Sequence, residues 1–178
     1  MRMLPALVLV LASGAALAQT APTPVLTPPP EPAYMRPISP ERLTRVEVEA
    51  LARAALNHCE GLGTPVTVSI MDVDGSLRLT QTSDRAKIVG IDTAPRKNVA
   101  VLAFGKSSAE LQQRLNTDLQ FAELFSKDER FLFYPGGLPI YRGKVLVGAI
   151  AAGGGRANDE ACARAGLLAV PVLSERAR

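Results

Sequence analysis

Two turn signals, each set between short apolar runs, constrain this chain most. Val66, Val68 and Ile70 alternate with Thr67, Ser69 and Met71, and Asp72-Val73-Asp74-Gly75 follows before Leu77 and Leu79. Such alternation with an Asp-x-Asp-Gly turn predicts a β-hairpin. Leu138 to Tyr141 and Val145 to Ala151 flank Arg142-Gly143-Lys144 as a second one. An isolated hairpin is marginal in water, so helices must cover the apolar faces. Val48, Leu51, Ala52, Ala55, Leu56, Cys59 and Leu62 supply one helical stripe. Its start is predicted at Ser39-Pro40, with Ser39 as cap. A second helix is expected over Asp92 to Phe104, interrupted early by Pro95. A third is capped by Ser107 or Ser108 and runs toward Leu115, and Leu119 to Phe125 adds one more turn. Phe131, Phe133 and Tyr134 read as strand-like before the break at Pro135-Gly136-Gly137. Asn158 is expected to cap a last helix, with Asp159 and Glu160 at its positive end. The order is helix, hairpin, helices, hairpin, helix, which predicts an α+β domain with helices packed on an antiparallel sheet. With no Trp and 4% aromatic residues, its core must come from Ala, Val, Leu and Ile.

The first segment reads as an address. Met1-Arg2-Met3 precedes an uncharged apolar run from Leu4 to Leu17, and Ala16-Leu17-Ala18 is a small-x-small cleavage pattern. Residues 1–18 are thus expected to be a signal peptide, and the protein periplasmic or secreted. The run is short for a bilayer span, and no lipoprotein Cys follows, so no stable membrane anchor is expected. Residues 19–40 carry eight of the 14 prolines and read as an extended, poorly ordered linker, either a tether or an arm for a partner. A single domain is left over residues 41–175. The formal charge of +3, spread along 178 residues, argues against nucleic acid as a partner.

Few residues offer chemistry. Cys59 and Cys162 each lie on the apolar stripe of a terminal helix, Cys162 with Ala165, Ala169 and Leu173. In an oxidising compartment the pair reads as a disulfide, and otherwise as two buried thiols. His58 is the only imidazole, one position off its stripe, and reads as a surface residue. One His and two Cys do not make the usual zinc site, and a Ser-His-Asp hydrolase has no nucleophile elbow here. Asp72-x-Asp74-Gly75 lacks the later acids of a calcium loop. Gly153-Gly154-Gly155-Arg156 before a helix suits an anion or simply a pliant loop. Arg85, Lys87, Arg96 and Lys97 flank the second helix and can meet carboxylates, or form a solvated charged face.

Several segments together resemble the GlcG/HbpS family of haem-binding, or "haem-degrading", domains. They are Ala55-Leu56-Asn57-His58-Cys59 with Gly63 and Val66 to Asp72; Asp92-Thr93-Ala94-Pro95-Arg96-Lys97 with Phe104-Gly105; Gly136-Gly137-Leu138-Pro139-Ile140; Gly148-Ala149-Ile150; and Asp159-Glu160-x-Cys162-Ala163-x-Ala165-Gly166. Lys97-Asn98-Val99-Ala100 departs from the Lys-Ala-x-Thr-Ala common in the family. The resemblance implies a profilin-like sheet flanked by helices, homo-oligomers, and haem as a ligand of secreted members. It implies that Arg96 and Lys97 hold propionates and that Gly136, Gly137 and Pro139 shape the pocket. His58, Tyr134 or Tyr141 are the side chains available to iron. The expected function is a periplasmic or secreted binder of haem or a related tetrapyrrole, without clear catalysis. Two alternatives are an enzyme acting on haem or a small organic acid, and a structural oligomer or accessory subunit.

Overall fold

The computed structural model describes residues 42–178. The leader, the Pro-rich linker and the Ser39-Pro40 helix start lie outside the described residues. Helix α1 spans Arg45–Gly61 and begins one turn later than expected, because Thr44 and not Ser39 caps it. Thr44 Oγ1 accepts from the Glu47 N–H, and Glu47 accepts in return from the Thr44 N–H, a reciprocal capping box. The first hairpin joins β1 (Thr67–Asp72) to β2 (Leu77–Thr82). Helix α2 (Val89–Phe104) runs through Pro95 without a break. The missing N–H there leaves only the Ile91 carbonyl without its helical donor, and Ile91 is exposed to water. Helices α3 (Ser108–Thr117) and α4 (Leu119–Phe125) follow, then β3 (Gly137–Arg142) and β4 (Val145–Gly153). A 3-10 turn at Arg156–Asn158 leads into α5 (Asp159–Leu168).

The four strands form one antiparallel sheet in the order β2-β1-β4-β3. Every residue of β1 is buried, because helices cover both faces. Val68, Ile70, Ile150 and Ala152 face α1 and α5; the alternate residues Met71 and Ala149 face Val101 and Leu102 of α2. The polar residues on the α2 side are partnered: Thr67 with the Thr82 hydroxyl, and Ser69 with the side-chain amide of Asn98. Asn98 thus docks α2 on β1.

Cys59 and Cys162 form a disulfide between α1 and α5, with Cα atoms 5.5 Å apart. The buried stripe of α5 is Cys162, Ala163, Gly166 and Leu167, with Val170 just beyond; Ala169 of the expected stripe is exposed and Ala165 only half-buried. The helix turns that way because Gly166 lies against α1, where a Cβ would stand 2.7 Å from the Leu51 carbonyl oxygen. Leu62 likewise leaves the α1 stripe and is exposed.

Residues 131–134 are not a strand. They run extended beside α2, and all five phenylalanines of the chain gather there: Phe104, Phe121, Phe125, Phe131 and Phe133, with neighbouring ring centroids 4.9–6.0 Å apart. The segment alternates like a strand because Phe131 and Phe133 point inward while Leu132 and Tyr134 point outward.

Candidate functional site

The site forms where three segments meet: the first half of α2, the 131–137 segment, and the Gly153–Asp159 turn. Its floor is the Lys97–Asp159 pair. Lys97 is 1% exposed and Asp159 2%. Lys97 Nζ donates to Asp159 Oδ2 at 2.7 Å and to the Ala152 carbonyl at 2.9 Å. Asp159 Oδ1 accepts from the Gly155 N–H at 2.7 Å. Burial pushes the Lys97 ammonium below its ordinary pKa, and the Asp159 carboxylate opposes that push. The Tyr134 ring lies over Nζ, 5.6 Å to its centroid, and gives the cation a second partner.

The loop above is held from two sides. Ser108 Oγ donates to the Tyr134 carbonyl at 2.7 Å, and the Gly137 N–H donates to the same hydroxyl at 2.8 Å. Gly136 sits at φ +130°, and a Cβ there would stand 2.7 Å from Lys97 Nζ and 2.8 Å from the Ala152 carbonyl oxygen. Only glycine lets the loop settle onto the ion pair.

Above the floor lies an open cleft of about 420 Å³. Val89, Leu132 and Tyr134 form one wall, and Lys87, Arg156, Thr93 and Gly154 the rim. A smaller cleft of about 250 Å³ adjoins it, sharing Lys87, Gly154 and Arg156 and adding Arg85, Thr64 and Pro65. Arg85, Lys87 and Arg156 are exposed and pair with no carboxylate among the described residues.

The structure brings Lys97, Tyr134, Gly136 and Gly137 together. Arg96 lies beside them but does not line the cleft; its guanidinium reaches Asp92 at 3.1 Å and the Phe131 carbonyl at 3.5 Å. Pro139 pairs with Ala149 in the sheet and lines a separate cleft with Tyr141, whose hydroxyl donates to the Gly105 carbonyl. His58 is exposed on α1, across the sheet from α2. Asn158 does not cap α5 with its side chain, which donates instead to Thr64 Oγ1 at 2.8 Å.

Asp159 lies in the first turn of α5 as expected, but sequence reasoning read it as a partner of the helix dipole and not as a buried site residue. Lys97 was grouped with Arg85, Lys87 and Arg96, as cations that meet carboxylates of a ligand or form a solvated face, and not as half of a buried ion pair. Its position gives the missed signal, since Lys97 lies three residues after Ala94 and four before Val101, on the buried stripe of α2. A lysine there needs a buried anion, and Asp159 provides it.

Comparison with known proteins agrees with this architecture. A crystal structure of a PduOC–heme complex superposes with a TM-score of 0.72 at 25% identity, covering 76% of this chain and 99% of that one. A double mutant of HbpS from Streptomyces reticuli gives 0.67 at 28% identity, over 88% of this chain and 99% of that one. The corrinoid adenosyltransferase PduO of Salmonella typhimurium strain LT2 is 26% identical over 131 residues, 73% of this chain. That match spans only 39% of the adenosyltransferase's own length. The family described as "Haem degrading protein HbpS-like" matches residues 43–168, and this chain belongs to it.

Proposed function

We propose that the protein is a haem-binding module that works outside the cytoplasm and seats the tetrapyrrole in the cleft above Lys97. One observation carries this reading: a single cleft combines an apolar wall with a cationic rim that pairs with no carboxylate among the described residues. A tetrapyrrole needs that combination, with a broad apolar face and carboxylates on one edge. Val89, Leu132 and the ring of Tyr134 fit the face, and Lys87 and Arg156 fit the carboxylates. Membership of the HbpS-like family and likeness to a protein crystallised with heme support it. When bound, haem would bring a redox-active iron. The protein's own part is to hold the ring and exclude water from one side of it. Lys97 and Asp159 serve that role by holding the cleft floor, since each already satisfies the other, and the reading is therefore of a binder and not a catalyst.

Titration of the purified protein with haemin, followed at the Soret band, tests the reading. A saturable one-to-one shift is expected; a response no greater than that of a non-binding control protein would overturn it. The 1–18 leader and the disulfide support an oxidising compartment, and cell fractionation checks it. Self-association belongs to the same reading. β2 is an edge strand with Leu77 exposed, whereas β3 is bridged by Ser174 at Tyr141. Sedimentation velocity showing only monomer would remove that part.

A further inference from the structure

The chemistry of the cleft says which feature of a tetrapyrrole it reads. Among the described residues no histidine or cysteine lines it, and the phenol of Tyr134 in its wall is the haem-iron ligand that remains. The chain has one imidazole, His58, exposed on the far side of the sheet, and its two cysteines are joined to each other. The Lys97 amine is committed as a donor to Asp159 and Ala152. Both Asp159 oxygens accept hydrogen bonds, and the Thr93 hydroxyl donates to the Val89 carbonyl. The polar groups of the floor are therefore satisfied by one another.

The rim is the opposite. Most arginines of the domain are in ion pairs: Arg42 with Asp74, Arg78 with Asp72, Arg142 with Glu47, Arg164 with Glu160. Arg85, Lys87 and Arg156 have no such partner among the described residues, yet they converge around Gly154 at the junction of the two clefts. Beside them the first residues of α2 present apolar surface, with Ile88 85% exposed and Val89 and Ile91 about half exposed. Like charges brought together repel unless an anion joins them.

We propose that the protein recognises the periphery and face of a tetrapyrrole and not its metal, so that a metal-free porphyrin bearing free carboxylates is a ligand as good as haem. Lys87 and Arg156 receive the carboxylates, and Arg85 adds to the field from the adjoining cleft. Val89, Leu132 and Tyr134 receive the ring. This rests on the haem-binding reading above and specifies what the site selects.

The test compares three ligands on the intact protein: haemin, metal-free protoporphyrin IX and protoporphyrin IX dimethyl ester. Absorbance and porphyrin fluorescence give the dissociation constants. Haemin and protoporphyrin IX are expected to bind within about threefold of one another. At low ionic strength the dimethyl ester should bind about tenfold more weakly, with the gap shrinking as salt screens the rim. The double variant Lys87→Glu/Arg156→Glu should lose about tenfold for both acids and little for the ester. Both positions are exposed, and circular dichroism confirms folding. His58→Ala should bind haemin as the parent does, and Tyr134→Phe, which keeps the ring and removes the phenol, should change haemin and protoporphyrin IX binding alike. Haemin binding without protoporphyrin binding, a tenfold loss in His58→Ala, or a tenfold loss for haemin alone in Tyr134→Phe would show metal ligation and overturn the proposal. Equal binding of acid and ester would overturn it also. If no porphyrin binds, the haem-binding reading itself fails.

Discussion

Lys97 and Asp159 show how much of this domain turns on two atoms. Removing one member of a buried ion pair leaves the other charge unpaired in a poorly polarisable surrounding, which costs roughly 3–5 kcal/mol. Asp159→Asn should therefore lower unfolding stability by about that amount, measured by urea denaturation. The pair also sets a pH dependence. In the unfolded chain Lys97 titrates near 10.5; in the fold burial lowers that value despite Asp159. Between the two values the unfolded chain holds a proton that the folded one has released, so the Lys97 contribution to stability rises with pH. Parent minus Lys97→Met stability should thus shift in the parent's favour as pH rises through the lowered folded value toward 10.5. A flat difference would mean that Lys97 titrates alike in both states. Residue by residue, the chain disclosed what rests on identity and withheld what rests on depth. Cys59 and Cys162 could be paired because two cysteines on two apolar stripes leave few choices. Asp159 could not be separated from Glu160 beside it, because burial belongs to the partner that arrives from α2, 62 positions away.

At the scale of elements, the hairpins and helices were legible wherever a local pattern decided them. The turn at Gly75, the Ser107 cap and the short α4 all follow from neighbouring residues. Two failures share one cause, a tertiary partner that overrides the local pattern. Phe131 and Phe133 alternate like a strand but find an aromatic cluster instead of a ladder. The stripe of α5 follows Gly166 because α1 comes close there. Thr44, not Ser39, starts α1, and its box with Glu47 is tied to β3 through Arg142, which meets both Glu47 oxygens at 2.8 Å. Although partial burial works against it, bonds from Thr44 and Arg142 hold the Glu47 carboxyl below the usual range. Thr44→Ala should cost about 1 kcal/mol, read as a lower midpoint in denaturant. The part of that loss due to the Glu47 contacts is present above pH 4.5 and fades as pH falls through the lower folded value.

For the molecule as a whole, the disulfide joins positions 103 residues apart and so spans nearly the whole domain. Constraining so long a loop in the unfolded chain is worth roughly 4–5 kcal/mol on chain-entropy grounds. The Cys59→Ser/Cys162→Ser double variant should lose stability of that order, and haemin titration under reducing conditions reports whether the cleft survives. Cys162 lies one turn after Asp159 on α5, so the crosslink also holds the helix that carries the floor of the site. The architecture was readable because two hairpins and their helices permit few arrangements. The cleft was readable only in part: the family resemblance brought forward Lys97, Tyr134, Gly136 and Gly137, but the contact of Lys97 with Asp159 joins segments distant in sequence and left no local pattern.

The absence of tryptophan gives the site an optical property. With no indole in the chain, ultraviolet emission comes from its three tyrosines. Tyr134, 45% exposed, stands in the wall of the cleft, while Tyr141 lies with its hydroxyl against Gly105 in another part of the molecule. A strongly absorbing ring seated beside Tyr134 would drain its excited state by energy transfer. The protein thus carries its own lamp at the mouth of the site, and dimming of tyrosine emission would follow occupancy without any attached dye.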